Sequence, residues 1–358
     1  MALRGASAQR AIEGLRELAG MGLTAPEIFR RSDELLRGVL EFDAVCWHTA
    51  DPATGLVTSV LSDDLSLAGF REAVRLEVWH EDAASFPNIR RSGLRAETLS
   101  RVTRGRPERT IRFREQIAPA SFGDELRAVF DTQGGMWGCA AFLRVPDRGP
   151  YLGRHRDLAD IAARHIGNAL RACHITPARS ADAEAEQAPA MVILGPSNGL
   201  VAADDRAQRL LAELADDAMA ALSVPTAFAI ASERARRAAC GELPAQGKIR
   251  VRAADGRWFV LHASLVEGLA DGCVGVVASP ASPAETMPMY LAAYGLTGRE
   301  QEVALHALRG CDTKEIARVL AMTPYTVQDH LKAIFTKAGV TSRRELIARI
   351  VLGEQPTI

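Results

Sequence analysis

Between Thr323 and Gly339 the apolar residues keep the period of an α-helix. At about 100° per residue, Val327, Leu331, Ile334 and Ala338 fall on one stripe with Phe335 beside it, whereas Tyr325, Asp329, Lys332, Ala333 and Thr336 point the other way. Both ends are marked. Thr323 suits the cap over the first free amides, Pro324 the first helical position, where its missing N–H is no loss, and Gly339 the left-handed stop. Just upstream, Asp312-Thr313-Lys314-Glu315 has capping-box spacing ahead of Ile316, Ala317, Val319 and Leu320, so a short helix precedes the long one across a tight turn. Thr297-Gly298-Arg299-Glu300 opens an earlier helix through Val303, Ala304, Ala307 and Leu308 to Gly310, and Ser342-Arg343-Arg344-Glu345 opens a later one carrying Leu346, Ile347, Ile350 and Val351. The pattern predicts an all-α, four-helix, helix-turn-helix unit.

The front of the chain alternates differently. Ile12, Leu15 and Ala19 stand at helical spacing, and Thr24-Ala25-Pro26-Glu27 opens a second helix through Ile28, Leu35, Leu36 and Val39. Phe42 to Thr49 and Leu56 to Leu61 read as strands joined by the turn Asp51-Pro52-Ala53-Thr54-Gly55. A polar, Arg-rich middle follows, unassigned by its pattern. Met136 to Leu143 then predicts a central strand, and Leu158, Ile161, Ala162, Ile166 and Ala169 a closing helix. Residues 174–189 alternate Ala with acids between Pro and Ser, which reads as a linker. Beyond it, Met191 to Leu194 and Leu200-Val201 flank a turn at Ser197-Asn198-Gly199. Ile249 to Arg252 and Trp258 to Leu261 flank Asp255-Gly256, a strong hairpin signal, and Cys273 to Val277 supplies one more strand. Pro280, Pro283 and Pro288 mark a second tether over 280–291, and no internal repeat is visible.

The outward face of the Thr323–Gly339 helix carries donors and acceptors without a run of charge. Gln328 lies on one flank and Thr326, His330 and Lys337 on the other, where a helix in a major groove meets the phosphate walls. The predicted DNA contacts are therefore Thr323, Thr326, Gln328, Asp329, His330, Lys332, Thr336 and Lys337. Charge agrees with this placement: from Leu296 to Gly353 nine Arg and Lys face six acids, so this segment is +3 and the remainder −4 in a chain of net charge −1. A capped helical unit with no nucleic-acid role would explain the caps, but not the row of polar groups opposite the stripe.

Leu296-Thr297, Arg299-Glu300, Glu302-Val303, Lys314-Glu315-Ile316-Ala317, Thr326-Val327, His330, Ile334, Lys337 and Gly339-Val340 together resemble the LuxR-type (NarL/FixJ-type) DNA-binding domain along its whole length. The resemblance implies DNA binding as a dimer, with Gln328, Asp329 and Lys332 at positions that face base edges. That family usually has Lys or Arg at the position of Gln328, and Asp329 puts a negative charge into the reading face, so an operator sequence does not carry over. In the order of its elements the front resembles a GAF domain over about Ala11 to Arg171, an α+β sensory fold, without the Asn-Lys-Phe-Asp-Glu signature of cyclic-nucleotide binders. The stretch from about Ala190 to Ser279 resembles a PAS-like α+β domain.

Other residues invite chemistry. Cys46, Trp47 and His48 sit on a predicted strand of the first unit, where alternate side chains face inward, so one or two of them line a pocket if one exists; core packing is the plainer reading. His165, in an apolar helical stripe, suits a core or interface histidine better than a haem or metal ligand. Gly134-Gly135 lacks the fuller glycine pattern of a phosphate loop, and Asp204-Asp205 suits a solvated helix start better than a carboxylate pair. At 358 residues two to three domains are expected. The six cysteines show no CxxC, the start carries no apolar signal core, and no apolar run is long enough to cross a bilayer, which predicts a reduced, cytoplasmic protein.

The expectation is a multidomain transcription regulator: an α+β GAF-like sensory domain at 1–173, a linker at 174–189, an α+β PAS-like domain at 190–279, a linker at 280–291 and an all-α four-helix LuxR-type helix-turn-helix domain at 292–354. Its partners would be double-stranded DNA, a second copy of itself, a small-molecule effector and RNA polymerase. No cofactor is identifiable. A phosphorylation-controlled response regulator is the nearer alternative, but the front lacks a receiver's early acidic pair and strand-end Asp. An enzyme with a DNA-localising tail is the more distant one, and nothing in the sequence supplies it with a nucleophile or metal cluster.

Overall fold

This computed structural model describes residues 5–80, 82–132, 135–174, 188–243 and 248–351. Gly134, most of the expected 174–189 linker and the last residues of the chain lie outside them. The first unit opens with α1 (Ala6–Glu17) and α2 (Ala25–Leu40), followed by the hairpin β1 (Ala44–Ala50) and β2 (Val57–Leu61). Then come α3 (Phe70–Trp79), α4 (Phe86–Arg91), β3 (Ala96–Thr98), α5 (Leu99–Val102), β4 (Asp124–Thr132), β5 (Gly135–Arg144) and α6 (Gly153–Cys173). Its antiparallel sheet has the order β2-β1-β5-β4-β3. The β1–β2 turn is held where expected, with the Gly55 N–H donating to Asp51 O at 2.7 Å and the Ala53 N–H to Asp51 Oδ1 at 3.0 Å. Gly135, at φ 142°, lies so near this turn that an added Cβ would collide with the carbonyl oxygen of Pro52.

Both faces of this sheet are covered, which is why β5 is buried along its whole length and reads as an unbroken apolar run. On one face Trp47, Phe130 and Phe142 meet Phe29 of α2 and the apolar side of α6. On the other, Cys46, Cys139 and Ala141 turn toward α3 and the second unit.

The second unit comprises β6 (Ala190–Leu194), β7 (Leu200–Ala203), α7 (Asp205–Glu213), α8 (Met219–Leu222), α9 (Thr226–Ala239), β8 (Lys248–Arg252), β9 (Trp258–Leu265) and β10 (Val274–Pro280). Its sheet order, β7-β6-β10-β9-β8, repeats that of the first unit strand for strand. Asp204 caps α7, accepting from the Ala207 N–H at 2.7 Å, as its place at a helix start suggests. Helix α9 is buried on nearly every side, and one hydrophobic cluster runs from the first sheet through α9 into the second sheet. Polar locks cross the same boundary: Trp79 Nε1 donates to Glu233 Oε2 at 2.8 Å, the Ser62 N–H to Asp217 Oδ2 at 2.9 Å, and the Arg250 N–H to Asp51 Oδ2 at 3.1 Å.

The third unit holds α10 (Pro283–Ala293), α11 (Gly298–Leu308), α12 (Thr313–Val319), α13 (Pro324–Ala338) and α14 (Arg343–Val351). The segment expected as a tether over 280–291 is instead largely helix α10. Its start is made by Ser282, whose N–H donates to Glu285 Oε2 at 3.0 Å, and Pro288 is accommodated within it. Leu291 is fully buried in the helix-turn-helix core, while the adjacent Ala292 and Ala293 pack into the core of the first unit. Pro280 ends β10 and Pro283 takes the first position of a helix whose stability comes from burial on two sides.

Candidate nucleic-acid interface and internal cavity

The helix-turn-helix forms as its caps dictate. Asp312 Oδ1 accepts from the N–H groups of Lys314 at 2.7 Å and Glu315 at 2.8 Å, which starts α12. The chain then turns through Ala321, left-handed at φ 52°, into α13. Thr323 Oγ1 accepts from the Thr326 N–H at 3.1 Å, and Gly339 ends the helix at φ 63°. Val327, Leu331, Ile334 and Ala338 are buried against α11, α12 and α14.

The opposite face is open. Tyr325 is 71% exposed, and the side chains of Lys332 and Asp329 are 79% and 52% exposed, with Lys332 Nζ only loosely associated with Asp329 Oδ1 at 3.9 Å. Gln328 is exposed and His330 half-buried. Three predicted contacts are partly spent on the protein: the Thr323 and Thr326 hydroxyls bond one another at 2.8 Å, and Thr336 Oγ1 donates to Lys332 O at 3.0 Å. Lys337 departs furthest from expectation. Its Nζ donates to Glu300 Oε2 at 2.7 Å and Oε1 at 2.9 Å, so the cation placed on a phosphate-facing flank by helical spacing instead ties α13 to the cap of α11. Burial alone would raise the Glu300 carboxyl; Lys337 and the Thr297 amide outweigh it and leave the group below its ordinary value.

The second feature is a cavity of about 360 Å³ in the first unit, roofed by Thr226 and Ile230 of α9. Cys46 and His48 line it from β1, whereas Trp47 points to the opposite face and stacks on Phe29 at 5.4 Å. Alternation along the strand separates the three residues that the sequence grouped. His48 Nδ1 lies 3.3 Å from the carbonyl oxygen of Ser59, which can only accept, so Nδ1 carries the hydrogen. Burial pushes His48 down to about 4. Glu77, Glu125 and Arg127 also border the space. Arg112 Nη2 reaches Glu125 Oε2 at 2.9 Å without hydrogen-bond alignment, so that contact is Coulombic, while Arg127 Nη1 donates to Glu77 Oε2 at 2.9 Å. Burial raises both carboxyls to about 7 against the opposing pull of Arg112.

Comparison with known proteins bears on the first of these features. A family model described as bacterial regulatory proteins, luxR family, matches residues 295–350. Residues 295–350 are a luxR-type helix-turn-helix DNA-binding domain. No curated protein matches the chain. Among solved structures the chain is similar to the Vibrio cholerae VqmA dimer, named with the LuxR-type receptors, at 16% identity over 46% of this chain and 82% of that one; with a TM-score of 0.20 the likeness carries no argument.

Within the luxR-type domain, Tyr325 is the exposed side chain that the predicted contact set leaves out, although helical spacing already turns it outward. Lys314 and Arg318, one turn apart on α12, and Arg344 on α14 are exposed and without an ion pair among the described residues. Their cationic groups can meet phosphates, a role that the periodicity of α13 does not reveal. No helix among the described residues is long and apolar enough to cross a membrane.

Proposed function

We propose that the chain is a cytoplasmic, non-enzymatic transcription regulator. Its luxR-type domain binds double-stranded DNA as a homodimer, and its two front units, GAF-like and PAS-like, set the placement of that domain according to a small molecule or partner. The carrying observation is the open face of α13, with Lys332 and Asp329 exposed opposite a buried stripe. Regulation is supported by α10, whose neighbouring residues belong to two cores, Leu291 to the DNA-binding unit and Ala292 and Ala293 to the first unit. The cavity of about 360 Å³ falls within the range of small-molecule sites. The repeated strand order of the two sheets supports kinship between the front units, and RNA polymerase is the further partner such an output would engage.

The test is selection of duplexes from a random pool by the full chain, followed by affinity measurements. Enrichment of a two-fold-related site is expected. Failure to enrich any sequence, at low salt and over a range of protein concentrations, would remove the reading.

A further inference from the structure

The proposal concerns what the cavity accepts, and it rests on the sensory reading above. Glu77, Glu125 and Arg127 line the cavity, and their ion-pair cluster extends to Arg112 and Asp82, making three carboxyl and two guanidinium groups. Arg112 approaches all three acids, at 3.9, 3.5 and 2.9 Å, and Arg127 serves Glu77 and Glu125 at 2.9 and 3.3 Å. Counted over the described residues with every acid ionised, the carboxylates exceed the guanidinium groups by one. The other acids on the wall, Glu72 and Glu115, are both attended by Arg75. Cys46 adds no charge, because burial pushes its thiol up.

His48 supplies the second observation. It is 7% exposed, it lines the cavity, and its Nδ1–H is directed to Ser59 O, so Nε2 presents a lone pair with no partner among the described residues. An unpaired acceptor and a surplus of carboxyl over guanidinium groups along one cavity both favour a donor. Ser66, Gln116 and Thr226 are the other polar side chains of the wall and most of the remainder is apolar: Phe70 lies nearly parallel to the His48 ring, with centroids 6.2 Å apart, and Phe86 meets it edge-on at 6.1 Å. The Arg127 guanidinium already lies over the Phe86 ring, 4.1 Å from its centroid, so the face offered to a flat body is that of Phe70.

We propose that this cavity binds a small organic amine, its protonated nitrogen donating to Glu125 and its flat apolar body lying between the Phe70 side and the α9 roof, and that it rejects carboxylates and phosphates of the same size. Burial raises the Glu77 and Glu125 carboxyls, and a cation bound beside them would oppose that rise as Arg112 does.

The experiment is calorimetric titration of the full chain with 2-phenylethylamine, tyramine and tryptamine, against 2-phenylethanol and 3-phenylpropionate as neutral and anionic counterparts. At least one amine is expected to bind about tenfold or more tightly than the alcohol, in line with a charge-assisted hydrogen bond, and the carboxylate not at all. Glu125→Gln should remove that preference, bringing the amines to the affinity of the alcohol. Ala141→Leu, which fills the cavity from β5 opposite Arg127 and keeps every charged group, should abolish all binding, so the proposal stays testable if Glu125→Gln does not fold. Carboxylate binding equal to that of the amines, amine binding indifferent to Glu125→Gln and Ala141→Leu, or binding by none of the three amines would each overturn it. Measuring DNA affinity with and without saturating ligand separates the two readings. Amine binding that depends on Glu125 but leaves DNA affinity unmoved sinks sensing and keeps the ligand class; a carboxylate that shifts DNA affinity does the reverse.

Discussion

Single side chains on α13 divide the work of holding from the work of reading. Lys332 projects into solvent, so Lys332→Ala should relax base preference by about 1–3 kcal/mol at the position it faces while leaving the fold intact. Binding assays on the selected site and its single-base variants check this; an equal loss on every sequence would place Lys332 on phosphate. Lys337 is expected to behave in the opposite sense. With a carboxylate on the buried side of its ion pair and its own side chain 35% exposed, Lys337→Ala should cost about 1–3 kcal/mol of stability, less than a fully buried pair, with the salt slope of DNA binding nearly unchanged. Denaturant melts and salt titrations distinguish the two outcomes. Glu125 gives a pH signature. Its carboxyl is raised from an ordinary 4.5 to about 7, so its contribution favours the fold below 4.5 and is lost as pH rises through 7. Neutral burial of His48 acts the other way, favouring the fold above 6.5 and losing that contribution as pH falls through about 4. Relative to the parent chain, Glu125→Gln should therefore gain stability between about pH 5 and about pH 8. A difference that stays constant across that range would mean that the carboxyl titrates normally.

Among the elements, α10 and α9 have the most consequence and were the least legible. Spacing of prolines made α10 look like a tether, yet its residues close two hydrophobic cores at once. Helix α9 was not read from the sequence; within Thr226 to Ala235 the polar Ser232 and Glu233 are buried and Arg234 half-buried, so its polar residues do not mark an outward face. Strand β4 was hidden for the converse reason: Glu125 and Arg127 make it look like surface, and only partners from α3 and Arg112 explain how they are buried. The end of α10 offers a test of coupling. Gly295 is left-handed at φ 71°, so Gly295→Ala is strained, and the Arg171 guanidinium of α6, which packs against it, must move aside. The variant should keep DNA binding but weaken the influence of the front units on it, which DNA titrations of parent and variant across the amine panel can measure. Undiminished influence would move the coupling elsewhere.

At the scale of the molecule, two sheets of the same strand order share one hydrophobic cluster and carry the luxR-type domain on a helix common to both sides of the junction. The proposed homodimer predicts two chains per duplex and half-sites one helical turn, about 34 Å, apart. Footprinting together with stoichiometry by light scattering checks this, and a one-to-one complex on a single half-site would exclude it. Because the excess positive charge of the segment 296–353 is only three, the salt dependence should be that of few phosphate contacts per chain, doubled by pairing.

The amino-acid sequence by itself determined the DNA-binding unit. Its caps, stops and stripe act within a few residues of one another, and local hydrogen bonds and helical periodicity are enough to write them. Tertiary structure decided what depends on neighbours distant along the chain. It turned Trp47 away from the cavity that Cys46 and His48 share, gave Lys337 to Glu300, converted a tether into a shared helix and set the same sheet topology twice without a visible repeat. A side chain's chemistry is local, but its partner, and therefore its charge state and its freedom to bind anything else, is fixed only when the chain has closed around it.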